Sequence, residues 1–138
     1  MSRFVLDASV ALAWVADHNP DPYAEIVRQR IRSGSKPVVP ALWQLEVANV
    51  LTLLRRRKVL TADEVEEGID YLHAFATTIA EIDGNFLTVR EAFRVCTEAK
   101  LTAYDSVYFE LAQRESLPLA SLDKALREAA ARAGIPTL

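Results

Sequence analysis

Four acidic side chains in this sequence could form one oxygen-rich site, namely Asp7, Glu46, Asp105 and Asp123. Asp7 ends a short apolar run, and Asp123 lies just beyond another, where an α/β protein places strands. Sites in parallel sheets form at the carboxyl ends of strands. Glu46 and Asp105 have mainly apolar neighbours three and four positions away on predicted helices, so we expect them to face inward.

Converging carboxylates would require a cation. Two unit charges ~4 Å apart at an effective dielectric near 20 repel by about 4 kcal/mol. No lysine or arginine lies within two residues of Asp7, Glu46 or Asp105, whereas Lys124 adjoins Asp123. All-oxygen ligation suits Mg²⁺, and Mn²⁺ can substitute for it. His18 and His73 have no partner at ligand spacing, so we do not expect a zinc site.

Each acid also has a purely structural explanation. Asp7 and Asp123 could each cap the helix that follows, and taken alone we would favour that role for either one. Thr102 followed three residues later by Asp105 resembles a capping box. Glu46 could reach past the edge of an apolar stripe into solvent, and the two interpretations of Glu46 are evenly balanced. Considered together, the four acids favour one shared cation-binding site over four separate structural roles.

The elements that must position these acids alternate between apolar runs and helical patterns. We predict strands at residues 4–6, 37–39, 78–82, 117–120 and 135–138. We predict helices at residues 10–16, 23–31, 41–57, 62–76, 86–99, 103–114 and 124–133. Thr61 and Glu64 form a capping-box pattern, and Gly134 is a helix stop. Strands separated by helices indicate an α/β fold with a mostly parallel sheet of four or five strands and helices on both faces.

Length and composition exclude several classes of protein. The 138 residues fit one domain, 1–138, and 51% hydrophobic with 25% charged residues is typical of a soluble protein. The net charge of −3 provides no overall attraction to nucleic acid. Cys96 is the single cysteine, which excludes an internal disulfide and agrees with a cytoplasmic location. No GxGxxG or P-loop is present, and no apolar segment is long enough for a signal peptide or a membrane span, so we expect no membrane association.

Four motifs, in order along essentially the whole chain, resemble those of the PIN-domain family, especially the VapC-like toxins of bacterial toxin–antitoxin pairs. They are VLDAS at 5–9, PALWQLEVAN at 40–49, LTAYDSVY at 101–108 and LASLDK at 119–124. Each motif alone is weak evidence for the resemblance, but the four occur in order and each carries one of the four acids. Family members often have threonine where this chain has Ser121 and glycine where it has Lys100, and neither departure removes an acid.

The resemblance implies a PIN-like three-layer α/β/α fold and a Mg²⁺-dependent endoribonuclease. Asp7 and Asp105 match the principal metal ligands, and Glu46 and Asp123 would hold a second metal or the attacking water. Ser9 and Ser121 match supporting hydroxyl positions. The family cuts RNA to leave a 3′-hydroxyl and a 5′-phosphate. The resemblance further implies a cognate antitoxin in an apolar groove near the early helices, and a homodimer.

Other functions remain as alternatives. The chain could be a catalytically idle PIN-like module that binds protein or RNA, although all four acids are present. A haloacid-dehalogenase-like phosphatase needs a second aspartate two residues after the first, and Ser9 stands there. A receiver domain is disfavoured because no acidic pair accompanies Asp7. The basic runs, Arg55 to Lys58 and Arg28 to Lys36, are either solvated or contact phosphate.

Overall fold

The computed structural model describes residues 2–16 and 18–138, so Met1, where the expected domain begins, and Asp17 lie outside the described residues. In the described ranges four strands alternate with seven helices. The strands are β1 (Arg3–Leu6), β2 (Lys36–Pro40), β3 (Glu81–Asp83) and β4 (Leu119–Ala120). The helices are α1 (Ala8–Ala16), α2 (Pro22–Arg32), α3 (Leu42–Arg56), α4 (Ala62–Thr78), α5 (Val89–Ala99), α6 (Ala103–Glu115) and α7 (Lys124–Arg132).

Local sequence signals begin and end several of these helices. The predicted capping box is confirmed, because Thr61 Oγ1 accepts from the Glu64 amide while Glu64 Oε1 accepts from the Thr61 amide. Gly134 has a φ of 73°, in the left-handed region that ends a helix. Lys100 has a φ of 57° between α5 and α6, in the position where the family often has glycine. Glycine adopts a positive φ without the steric cost of a Cβ atom, which explains why glycine is expected at this position.

The sheet is parallel throughout, with strand order β3-β2-β1-β4. The chain adds β2 and β3 on one side of β1, then returns to place β4 on the other side. Right-handed crossovers therefore put α1 to α4 on one face and α5 and α6 on the opposite face. The contacts agree, since α1 contacts α2, α3 and α4, whereas α6 contacts α5 and α7. The predicted three-layer α/β/α fold is confirmed.

This topology creates a switch point between β1 and β4, because the connections after these two neighbouring strands leave on opposite faces. Ligands of open α/β sheets bind at such a point, beyond the carboxyl ends of the strands. Asp7 follows β1, and the loop 121–123 follows β4. Beneath them the core is continuous, and Val5, Leu6 and Leu119 are completely buried.

Some predicted bounds were wrong. The predicted strand at 135–138 contributes only an isolated bridge between Leu119 and Thr137. The predicted strand at 78–82 begins later, because α4 continues through Thr78 and β3 starts at Glu81. The helix predicted from residue 86 begins at Val89, since Thr88 caps it by accepting from the Glu91 amide. In the described ranges no helix is long and apolar enough to cross a membrane.

Candidate active site

Asp7 is a buried carboxylate at the carboxyl end of β1, with 4% of its surface exposed. Its Oδ2 accepts hydrogen bonds of 2.7 Å from both Ser9 Oγ and Ser121 Oγ. Burial raises the pKa of Asp7, the two hydroxyl groups oppose that rise, and the charge of Asp123 adds to it. A simple helix cap would accept from backbone amides of the following helix, whereas the Asp7 carboxylate accepts from two serine side chains.

The two serines also organise the loop after β4. Ser9 Oγ accepts from the Leu122 amide at 3.0 Å, and Ser121 Oγ accepts from the Asp123 amide at 2.9 Å. Each hydroxyl thus accepts from the loop backbone and donates to Asp7. The sequence-predicted supporting residues Ser9 and Ser121 therefore join the first motif to the fourth.

Asp123 lies in this same loop and caps α7, since its Oδ1 accepts from the Leu126 amide at 2.8 Å. The helix-capping role considered for Asp123 is therefore present in the structure. The cap does not remove Asp123 from the site, because its charge raises the pKa of both Asp7 and Asp105. A single carboxylate here both caps a helix and faces two other acids.

Asp105 is half-buried in the first turn of α6. Thr102 caps this helix by accepting from the Asp105 amide at 3.3 Å. The described hydrogen bonds contain no return bond from the Thr102 amide to the Asp105 carboxylate, so a full capping box is not formed. Burial, followed by the charges of Asp123 and Asp7, raises the pKa of Asp105 to about 6.

Glu46 projects from the second turn of α3 and is partly buried, not directed into bulk solvent. Tyr108 Oη donates a hydrogen bond of 2.5 Å to Glu46 Oε1. Burial raises the pKa of Glu46 to about 7; the Tyr108 hydrogen bond opposes the rise, and the charges of Asp7 and Asp105 add to it. Of the two placements that the sequence left evenly balanced for Glu46, the structure has the inward one.

The four acids therefore share one electrostatic environment. Within the described part of the chain, none of them forms an ion pair with lysine, arginine or histidine. Lys124, the one neighbouring cation that the sequence offers, lies 3.9 Å from Glu128 instead. Mutual repulsion without a basic partner is the condition under which a divalent cation stabilises a carboxylate cluster.

The donor set fits a hard cation, because it consists only of carboxylate and hydroxyl oxygens. Among residues 2–16 and 18–138, however, no three histidine, cysteine, aspartate or glutamate side chains form a ready ligand group. The fit of these residues to a divalent cation thus rests on their oxygen donors and their negative charge. Asp7, Glu46, Asp105 and Asp123 are the residues that would hold the ion.

Two further residues, Tyr108 and Arg127, contact the site, although no sequence motif assigns them a role. Tyr108 is completely buried and holds Glu46. It lies three positions after Asp105 on α6, so helical spacing could have indicated it. Arg127 donates to the Ser121 carbonyl at 2.9 Å, and its guanidinium lies 4.9 Å from the centre of the Tyr23 ring. Arg127 thereby fixes the loop that carries Ser121, a contact that no local pattern predicts.

The remaining candidates lie outside this cluster. Arg55, Arg56, Arg57 and Lys58 are exposed at the carboxyl end of α3. In the second basic run, Arg28 pairs with Glu25 within α2. Trp43 is buried in the core, and the partly buried Trp14 packs against the same core cluster.

Comparison with known proteins gives relatives of similar length. The chain is 27% identical over 126 residues to a protein named Ribonuclease VapC3 from Pyrobaculum aerophilum, covering 91% of this chain and 93% of the relative. The fold resembles the crystal structure of PAE2754 from Pyrobaculum aerophilum, with a TM-score of 0.66, 19% identity, and coverage of 93% of this chain and 84% of that one. It also resembles FitAcB from Neisseria gonorrhoeae, with a TM-score of 0.63, 13% identity, and coverage of 98% and 96%.

A family model described as PIN domain matches residues 4–132. The match begins within β1 and ends at the last residue of α7, so it includes all four acids and both serines. Together with the parallel sheet and the carboxylates at its switch point, this match shows that the chain belongs to the PIN domain family.

Proposed function

We propose that this protein is a Mg²⁺-dependent endoribonuclease and the toxin of a toxin–antitoxin pair. The observation that carries the proposal is the cluster of four carboxylates at the switch point of the sheet, where burial and the charges of neighbouring acids raise the pKa values of Asp7, Glu46 and Asp105. The similarity to a relative named as a ribonuclease supports RNA as the substrate.

In the proposed reaction, Asp7 and Asp105 are the principal metal ligands, and Glu46 and Asp123 orient the attacking water or a second ion. A bound Mg²⁺ would offset the charge of the scissile phosphate and favour ionisation of water. Ser9 and Ser121 keep Asp7 in place by donating to its Oδ2. Glu46, with a pKa of about 7 before a cation binds, is suited to accept a proton from water near neutral pH. Attack on the phosphodiester leaves a 3′-hydroxyl and a 5′-phosphate.

A cleavage assay with end mapping tests this function. Purified protein is incubated with an RNA and with a DNA of the same sequence, in Mg²⁺, Mn²⁺ or chelator. We expect RNA fragments with 5′-phosphates in either metal and no fragments in chelator. Asp7→Asn should abolish cleavage, whereas Asp70→Asn, which removes an exposed charge on α4, should not. Persistent cleavage in chelator would contradict the metal mechanism.

The alternative, a catalytically idle binding module, predicts a different result in the same assay. Such a module would retain RNA or protein binding while leaving RNA intact under all metal conditions. Among the described residues the four acids have no basic partner, and this argues against such a module, because burying carboxylates without a compensating positive charge costs stability that a binding surface does not require.

We also propose two protein partners. A second copy would cover the exposed apolar side chains Leu45, Phe86 and Tyr104, which line a groove of about 490 Å³, and the exposed Val89 and Phe93 on α5. An antitoxin peptide would occupy the groove beside α1, α2 and α4, which is lined by Trp14, Val15, Gly68 and Tyr71 together with the charged Arg28, Glu64 and Glu67.

Light scattering on the purified protein tests the homodimer. Phe93 is 73% exposed, so Phe93→Glu should give a folded monomer while leaving the core unchanged. Val59→Glu, a matched change at a residue 53% exposed after α3, should leave the dimer intact. A monomeric wild type would contradict the homodimer.

A further inference from the structure

We propose that Tyr108 is a positioning residue, which acts by fixing the carboxylate of Glu46 within the acidic cluster. The inference rests on the proposed function, because it assumes that Glu46 contributes to metal or water binding. Tyr108 itself would not touch the RNA, since it is completely buried.

The geometry assigns the single phenolic proton of Tyr108 to Glu46. The hydroxyl group donates to Glu46 Oε1 at 2.5 Å, and the two residues are 62 positions apart. A phenol has one donor, so this bond uses the full donor capacity of Tyr108. Because the acceptor is a carboxylate, the bond is of the strong, charge-assisted kind when Glu46 is ionised.

The bond also joins the two helical layers at the site. Glu46 belongs to α3 on one face of the sheet, and Tyr108 belongs to α6 on the other. A phenol is protonated near neutral pH, so Tyr108 is available as a donor to Glu46. Asp105 lies one turn before Tyr108 on α6, so this helix both supplies an acid and holds the acid of α3.

A flexible glutamate benefits from such a restraint. Its side chain loses rotamer freedom whenever it binds a ligand, and a hydrogen bond that already restricts it lowers that cost. With Oε1 held by Tyr108, Oε2 remains for a cation or a water molecule. If Tyr108 served packing alone, phenylalanine would replace it without consequence for the site.

The test is a double-mutant cycle on Mn²⁺ affinity, measured by calorimetry on wild type, Tyr108→Phe, Glu46→Ala and the double variant. Loss of hydrogen-bond partners behind metal ligands weakens affinity by about 10- to 100-fold, and we expect Tyr108→Phe to fall in that range. In the Glu46→Ala background the same change should have almost no effect. An equal loss in both backgrounds, or no loss in either, would overturn the proposal.

The matched control is Tyr23→Phe. Its hydroxyl group is buried and has no hydrogen-bond partner among the described residues, so the change deletes the same atom without releasing an acid, and phenylalanine keeps the ring against which Arg127 lies. We expect unchanged Mn²⁺ affinity for Tyr23→Phe. A loss equal to that of Tyr108→Phe would assign the effect to general packing and overturn the proposal.

Crystal structures of the metal-free wild type and Tyr108→Phe provide a readout that does not depend on activity. We expect an unchanged backbone and a Glu46 side chain that leaves its wild-type rotamer. A Glu46 that keeps its position would overturn the proposal. Should wild type neither bind Mn²⁺ nor cut RNA, the proposed function fails, and these two structures still decide whether Tyr108 positions Glu46.

Discussion

Ser121 Oγ donates a hydrogen bond of 2.7 Å to Asp7 Oδ2, although the two residues are 114 positions apart in the chain. Ser9 Oγ donates to the same oxygen at 2.7 Å. Both side-chain donors therefore use Oδ2, and the Asp7 carboxylate is oriented before any ligand binds. Preorganisation of this kind is what a site for a divalent cation requires.

Replacing Ser121 by alanine should weaken Mn²⁺ binding and RNA cleavage by about tenfold or more. The change removes one donor from Asp7 and the acceptor of the Asp123 amide. Calorimetry and initial cleavage rates check this expectation. Ser9→Ala, which removes the other hydroxyl group on the same oxygen, should have a similar effect, and unchanged affinity in both variants would show that the serines do not orient Asp7.

Asp105→Asn should separate the structural role of this residue from the catalytic one. Thr102 caps α6 through the Asp105 backbone amide, which the substitution retains. We therefore expect a folded variant with cleavage reduced at least about a hundredfold, equivalent to about 3 kcal/mol. Expression of wild type alone should arrest growth, and the variant should not. A soluble variant that cuts RNA at the wild-type rate would refute the assignment of Asp105.

The metal-free protein should lose stability as the pH rises. The pKa values of Glu46 and Asp105 rise from 4.5 and 3.8 to about 7 and about 6, chiefly through burial. At these two acids the folded state binds protons that the unfolded chain has released, so their contribution to stability is fully present below pH 3.8 to 4.5 and is lost as the pH rises through about 6 to 7. Thermal unfolding in chelator should show a falling Tm across that window, with a smaller fall in Glu46→Gln. A Tm that rises across this window would contradict the raised pKa values of the two acids.

Mg²⁺ or Mn²⁺ should raise the Tm, most strongly above the pKa values of these acids. A ligand at 100 times its Kd stabilises the folded state by about 2.7 kcal/mol. Differential scanning fluorimetry of wild type and Asp7→Asn/Asp105→Asn checks the site, because the double variant should show a smaller shift. Equal shifts would place the metal elsewhere.

Lys100→Gly should stabilise the protein by about 1 kcal/mol. Lys100 is a non-glycine residue with a φ of 57° and a ψ of 50°, a conformation that a Cβ atom disfavours. Lys100→Ala is the matched control, because it removes the same charge but keeps the Cβ. Chemical denaturation of both variants measures the difference, and equal unfolding free energies would mean that the turn is not strained.

Local signals in the sequence determined much of the fold. The Thr61–Glu64 capping box, the Gly134 stop and the apolar run before Asp7 each act over a few residues, so they can be recognised without tertiary contacts. The bounds of β3 and α5 were missed because short apolar segments do not distinguish a helix end from a strand.

The acids themselves could be found from the sequence, since each stands at a strand end or on an apolar helix face. Only the tertiary structure decided that Ser9 and Ser121 share Asp7 Oδ2 and that Tyr108 holds Glu46. These contacts depend on the return of the chain to place β4 beside β1 and on the meeting of α3 with α6. The Ser121–Asp7 and Tyr108–Glu46 contacts join residues 114 and 62 positions apart, so they form only when the whole chain has folded, and no local pattern records them.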